Sequence, residues 1–134
     1  MTAQNVAVVQ SVYDNFAKGD IPAVLAALAP DIEWVESPQS YLPHRGTHSG
    51  PAEVADKVFG MVVANFDEFA VVPEQIHDAG DVVVVEGRAV GKTKHGRVLD
   101  ARACWVWTVH DGHAVANHNY HDTDAWRVAL TGGH

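Results

Sequence analysis

Apolar residues recur at helical spacing near the start of the chain and alternate with polar ones over its second half. Val6, Val9, Val12 or Tyr13, and Phe16 predict an amphipathic helix that Thr2 can cap and Gly19 ends. Asp20 predicts the cap of a second helix, with Pro22 tolerated in its first turn. Its apolar stripe is Val24, Leu25 and Leu28, and Ala29-Pro30 stops it. A strand follows from Asp31 to Glu36, and its parity places Ile32, Trp34 and Glu36 on one face. Ser37 to Gly50 holds Pro38, Pro43, Gly46 and Gly50 and reads as a loop long enough to be a lid or a cavity rim. Gly50-Pro51 opens a third helix, with Val54, Val58, Met61, Val62 and Asn65 on its buried side.

From Phe66 the period changes to alternation. Phe69 and Val71 begin a strand reaching about His77, in which Pro73 favours an edge or a bulge. Ala79-Gly80-Asp81 turns the chain into Val82–Val90. There Val82, Val84, Glu86, Arg88 and Val90 share one face, and Val83, Val85, Gly87 and Ala89 the other. After a turn at 91–96, Val98–Val109 presents Leu99, Ala101, Ala103, Trp105, Trp107 and Val109 together. The last strand runs to Asp122, and Thr123 caps a short helix through Leu130. The order ααβαββββ plus a terminal helix predicts one α+β domain, 1–134, with helices on one face of a curved antiparallel sheet.

Composition narrows the class. At 134 residues, 47% hydrophobic and 19% charged, the chain can bury a core without staples. A formal net charge of -8 with scattered Lys and Arg argues against nucleic acid and anionic membrane as partners. The single cysteine, Cys104, fits a reducing compartment and reads as an inert packed thiol. Met1-Thr2-Ala3-Gln4 starts no signal peptide, so the expected location is the cytoplasm. Nine histidines raise the question of metal, but His44/His48 lies in a loop, His110/His113 and His118/His121 are three apart on or near strands and point to opposite faces, no HExxH pattern appears, and no metal is expected.

The candidate chemistry sits on the strands. A carboxylate on an apolar face loses hydration, the condition under which carboxylates serve as bases or acids near neutral pH; Glu36 is the first candidate, the alternative being that it reaches solvent at the strand end beside Ser37-Pro38. Glu86 and Arg88 alternate with valines. Facing inward they would orient a substrate carbonyl or carboxylate; facing outward they would be a solvated pair. Sharing a face with Val82 and Val84 favours the inward reading. Asn117, Asn119 and His121 alternate with His118, Tyr120 and Asp122. Which set meets the tryptophans depends on the hairpin at Asp111-Gly112. A two-residue loop pairs His110 with His113 and Trp105 with His118. A three-residue loop pairs Val109 with His113 and Trp105 with Asn117.

Several local patterns, in order and spacing, resemble one superfamily. They are Val12-Tyr13 … Gly19-Asp20, Asp31-Ile32-Glu33-Trp34, Gly46-Thr47 … Gly50-Pro51, Val106-Trp107-Thr108-Val109 … Asp111-Gly112, and Tyr120-His121-Asp122-Thr123. Together they resemble nuclear-transport-factor-2-like proteins, the group of ketosteroid isomerases, limonene-epoxide hydrolase and SnoaL-like polyketide cyclases. The resemblance implies a cone-shaped, cystatin-like α+β barrel with a deep cavity between sheet and helices, and a homodimer through the outer sheet face. Glu36 matches the place of the isomerases' general base. Their first-helix tyrosine falls nearest Val12, one residue from Tyr13, and their oxyanion-hole Asp falls at Trp105. The last-strand Asp of the cyclases and the hydrolase is Asn119 here. The hydrolase arginine resembles Arg88, but the Asp two residues later is Val90. The resemblance also favours the register that puts Asn117, Asn119 and His121 inside with Trp105.

The leading expectation is a cofactor-independent isomerase, cyclase or lyase acting by proton transfer on an apolar carbonyl compound. Glu36 and His121 would move protons. Trp105, Asn117 and Asn119 would hold the oxyanion, Arg88 with Glu86 would position the substrate, and Trp34 and Tyr13 would line the pocket. The rivals are a non-catalytic ligand-binding or dimerisation domain, and an epoxide-hydrolase-like water addition.

Overall fold

In the computed structural model, which describes residues 2–38, 40 and 42–133 without the side chains of Thr2 and Ala3, helical spacing gives way to a sheet as the period predicts. The expected Thr2 cap lies outside the described side chains. Helix α1 (Thr2–Ala17) buries Val9, Val12 and Tyr13, and α2 (Ile21–Ala26) is capped by Asp20, whose carboxylate accepts from Ala23 N. α2 is shorter than its apolar stripe suggests. Leu28-Ala29-Pro30 already belongs to β1 (Leu28–Glu36), which the sequence reading starts at Asp31. The segment 37–50 is also not all loop: β2 (Gly46–Ser49) pairs antiparallel with β1.

α3 (Gly50–Glu53), a π-helical stretch (Val54–Phe59) and α4 (Gly60–Asn65) run on from one another. The π stretch brings Val58 and Phe59, adjacent in sequence, to the same cavity wall. Then come β3 (Phe66–Ala79), β4 (Val82–Thr93), β5 (Val98–His110), β6 (His113–His121) and α5 (Thr123–Thr131). α5 is capped by Asp122, not Thr123: the Asp122 carboxylate accepts from Ala125 N at 3.2 Å.

The six strands form one curved, open sheet in the order β2-β1-β6-β5-β4-β3. It is mixed and not wholly antiparallel, because β1 lies parallel to β6. Pro73 sits on the edge strand β3 at a register shift, so its missing N–H costs little in the ladder. Gly87 faces the same place: a Cβ there would stand 2.1 Å from Val72 O and 3.0 Å from the Trp105 ring.

The β5–β6 hairpin takes neither register predicted from sequence. The turn is the two-residue one, with His110 opposite His113 and both Asp111 (φ 50°) and Gly112 (φ 77°) left-handed, the type I′ geometry. One bulge then intervenes: Val109 pairs with Ala114 but Thr108 with Ala116, leaving Val115 as the extra residue. Beyond it Trp105 lies opposite Asn119 and Trp107 opposite Asn117. The bulge reverses the parity, so the polar set inside is the one the three-residue loop would have given.

Two apolar clusters fill the concave face. One joins α1, α2 and the π stretch to Trp34, Trp105 and Trp107. The other gathers Leu42, Met61, Phe66, Leu99 and Ala101 around Trp126 of α5. Arg97 anchors α5 by donating to its C-terminal carbonyls, Ala129 O at 2.7 Å and Leu130 O at 3.0 Å. Among the described residues no helix is long and apolar enough to cross a membrane.

Candidate active site

A cavity of about 70 Å³ lies between the two clusters. Its walls are apolar (Phe16, Phe59, Val71, Trp105 and Trp107 among them), with Tyr13, Glu36, His44, Asn119, His121 and Trp126 as the polar members. Each is delivered by a different constraint. Tyr13 comes from the inward stripe of α1, Glu36 from the end of β1, and Asn119 and His121 from β6 after its bulge. Trp126 comes from α5, and His44 from the segment before β2.

Glu36 is the centre of the polar group and is only 3% exposed. Trp34, its neighbour on the same strand face, donates its indole N–H to Glu36 Oε2 at 2.7 Å. His121 Nε2 lies 3.1 Å from Oε1, and His44 Nε2 lies 3.6 Å from that same oxygen. A carboxylate accepts only, so His121 carries its proton on Nε2. Its Nδ1 is buried and has no hydrogen-bond partner among the described residues. His44 Nδ1 is likewise without a partner among the described residues. Burial lowers the His44 pKa to about 4, against the pull of Glu36 and with the push of His121 and His48. His44 is therefore a neutral imidazole at neutral pH.

Tyr13, from α1, brings a hydroxyl to the lining. Its hydroxyl accepts the Trp107 indole N–H at 2.9 Å, which orients the phenol and leaves its own O–H able to donate elsewhere. Burial raises the Tyr13 pKa far above its ordinary value, against the Trp107 hydrogen bond and with a small contribution from Cys104. The phenol stays protonated. Asn119 Nδ2 donates to Val35 O at 3.1 Å and to Asn117 Oδ1. Its donors are engaged in the wall, and its oxygen is the atom it can offer a ligand. Asn117 is fully buried beside it and outside the cavity lining, with Nδ2 unpartnered among the described residues. Trp105 and Trp34 line the cavity.

Arg88 and Glu86 do not reach the site. β4 turns Val83, Val85, Gly87 and Ala89 inward, opposite Trp107, Trp105, Ala103 and Ala101. Arg88 is on the outer face, with Asp100 at 3.0 Å and Glu74 at 3.3 Å; Glu86 is beside it, 2.6 Å from His77. The inward placement expected for this pair is corrected: both faces of β4 carry valine, and the tryptophans of β5 decide which is inside. His118 also faces out, 3.5 Å from Glu33, and Tyr120 is exposed.

Two cavity residues escaped the sequence reading. His44 was visible only as a possible metal partner of His48, yet His48 Nε2 bonds to the His44 carbonyl at 2.7 Å and not to a shared site. The antiparallel return of β2 onto β1 is what carries His44 over Glu36. Trp126 had a signal, the amphipathic spacing of Trp126, Ala129 and Leu130. Its ring lies 5.6 Å from that of His44 and 5.5 Å from that of His121. Among the described residues no group of three or more His, Cys, Asp or Glu is arranged to hold a metal ion.

Comparison with known proteins agrees with this architecture. No curated protein matches the chain. An NTF2-like protein of unknown function from Burkholderia pseudomallei superposes with a TM-score of 0.87 at 29% identity, covering 96% of this chain and 98% of that one. TerC, co-crystallised with polyporic acid, superposes at 0.85 with 25% identity over 95% and 98% of the two chains. A putative SnoaL-like polyketide cyclase from Jannaschia sp. CCS1 shares the fold at 0.78 and 20% identity, over 96% and 92%. The model of the SnoaL-like domain matches residues 9–117, and the chain belongs to that family.

Proposed function

We propose that this protein catalyses proton transfer on a small, largely apolar carbonyl compound, in a reaction of the isomerase, cyclase or lyase type. The observation that carries this reading is a buried carboxylate on the wall of an apolar cavity. Glu36 has an N–H donor on each oxygen, Trp34 on Oε2 and His121 on Oε1. Such a group is oriented and shielded from water, two requirements of a general base.

The proposed step uses these groups. Glu36 takes a proton from the carbon next to the substrate carbonyl. The C–H electron pair moves into the enolate, and the charge reaches the carbonyl oxygen. The Tyr13 hydroxyl donates to that oxygen, the role of a preorganised oxyanion donor. Protonated Glu36 returns the proton to the same or another carbon, with no net redox change. His121 holds the carboxylate in place through its Nε2–H, 3.1 Å from Oε1.

The cavity bounds the substrate. About 70 Å³ is roughly half the ~150 Å³ that admits benzene. The natural ligand is therefore compact, or its entry displaces lining side chains. Co-crystallisation of the relative TerC with polyporic acid supports small-molecule binding in this family. On the outer sheet face Tyr120 and Val98 are exposed, which supports pairing of two copies there.

A panel of small ketones and diketones incubated with the protein in D2O tests the reading by proton NMR. Catalysed loss of the signal from the carbon next to the carbonyl is the expected result. If no compound exchanges faster than in buffer, the domain is better described as a binding module, for which the engaged amide of Asn119 in place of a carboxylate already speaks.

A further inference from the structure

We infer that the strap Leu42-Pro43-His44-Arg45 is the door of the cavity, and that a ligand enters where the His44 ring now lies against Trp126. This deepens the reading of the cavity as a substrate site and rests on it. Glu36 is only 3% exposed, so part of the wall must move before a ligand can reach it. Among the described residues lining the cavity, His44 alone lies outside the helices and strands. The others belong to elements held by their own hydrogen-bond ladders. The strap is tied only to itself and its flanks. Arg45 N and Arg45 Nη1 both donate to Leu42 O, at 3.1 and 3.2 Å, and Leu42 N donates to Ser40 Oγ at 3.3 Å. His48 Nε2 meets the His44 carbonyl at 2.7 Å. His44 Nε2, 3.6 Å from Glu36 Oε1, is beyond hydrogen-bond reach. Among the described residues no hydrogen bond joins 42–45 to anything outside 40–48. Gly46, left-handed at φ 103°, is the hinge at the start of β2.

Apolar contact keeps the strap shut. Leu42 is fully buried in the cluster around Trp126, and the His44 ring stands 5.6 Å from the indole ring. Polar atoms oppose closure. His44 Nδ1, His121 Nδ1 and Trp126 Nε1 have no partner among the described residues and are sealed from the cavity as well as from solvent. Their rings meet in one corner, the Trp126 ring 5.5 Å from that of His121. Whichever protons the imidazoles carry, each of these nitrogens has lost water without gaining a bond. The other such atom among the described residues, Asn117 Nδ2, is fixed inside the β6 ladder. Leaving a buried polar atom unpaired shifts an equilibrium roughly five- to a hundredfold, and His44 Nδ1 regains water when the strap lifts. The wall is therefore weakest at the strap, and lifting it uncovers the carboxylate that His44 covers.

Labelling of a thiol inside the cavity tests this. Ala89 lines the cavity from β4, and Cys104 is the single cysteine, so Ala89→Cys with Cys104→Ser leaves one thiol behind the wall. Val71→Cys, also on the lining, serves where Ala89→Cys fails to fold. Methyl methanethiosulfonate, which adds only a methylthio group, is applied at pH 7, and mass spectrometry follows the modification with and without low urea. Adding His44→Phe removes the unpaired nitrogen and keeps a ring against Trp126, so labelling should slow about fivefold or more. Adding Leu42→Ala removes the apolar anchor, so labelling should speed up about tenfold or more. In each protein the rate should change little with low urea, the mark of a local opening and not of global unfolding. Rates that are equal across the three proteins or reversed in order, or a urea dependence matching that of global unfolding, would overturn the inference. The label needs no substrate. Failure here therefore leaves the deuterium-exchange result standing, and failure of exchange leaves the labelling result standing.

Discussion

Replacing His44 by Phe should flatten the acid side of the stability profile. His44 is 4% exposed and packs its ring 5.6 Å from that of Trp126, so Phe can keep the packing. Burial holds the folded-state pKa at about 4, whereas the unfolded chain titrates at the ordinary 6.5. Between these values the unfolded state binds more protons than the folded one. Stability therefore falls as pH drops below 6.5 and stops falling, for this group, below about 4. The gap gives a loss of about 2 kcal/mol by pH 5 and about 3 kcal/mol by pH 4. Other groups titrate in the same range, so the quantity to measure is the difference between wild type and variant. Urea unfolding followed by tryptophan fluorescence at pH 7, 6, 5 and 4.5 supplies it. The wild type should lose about 2 kcal/mol more than His44→Phe between pH 7 and 5. Parallel profiles would refute the claim that His44 is buried as a neutral ring against Glu36.

The other predictions follow from single contacts. Tyr13→Phe should lower the exchange rate by about 10²–10³ through loss of the oxyanion donor, and cost about 1–2 kcal/mol of stability because Trp107 Nε1 loses its acceptor; kinetics and urea midpoints read the two effects separately. Gly87→Ala would place a methyl 2.1 Å from Val72 O, so β3 must move and the urea-derived stability should fall by about 2 kcal/mol or more. Arg88→Ala removes an exposed pair with Asp100 and should leave catalysis unchanged, with stability altered by less than about 1 kcal/mol.

Much of the fold was legible because its period is regular. Glu36 could be placed with Ile32 and Trp34 from parity alone, since a short strand with one apolar face has a single sensible orientation. The inward face of β5, with its alternating alanines and tryptophans, was legible for the same reason. β4 was not. Valines at 82, 84 and 90 match valines at 83 and 85, and only the partner strand breaks the tie. β2 was hidden because Gly46-Thr47-His48-Ser49 has no apolar alternation; its pairing with β1 makes it a strand. The hairpin misled in an instructive way. Asp111-Gly112 correctly signals a two-residue turn, but the bulge at Val115, invisible in composition, reverses the consequence for every residue beyond it. The site was half legible. Residues on regular strands could be assigned to a face, whereas His44 and Trp126 reach the cavity through a chain reversal and a docked helix, which only tertiary structure sets.

The central claim is that Glu36 moves the proton. Its most direct test is the rate of solvent-deuterium incorporation into a compound that the wild type exchanges, measured for Glu36→Gln. The amide keeps an oxygen for the Trp34 N–H, and unfolding by urea checks that the fold is retained. The rate should fall by about 10²–10⁴ while binding of the same compound changes little. Exchange at the wild-type rate in a folded Glu36→Gln protein would contradict the account.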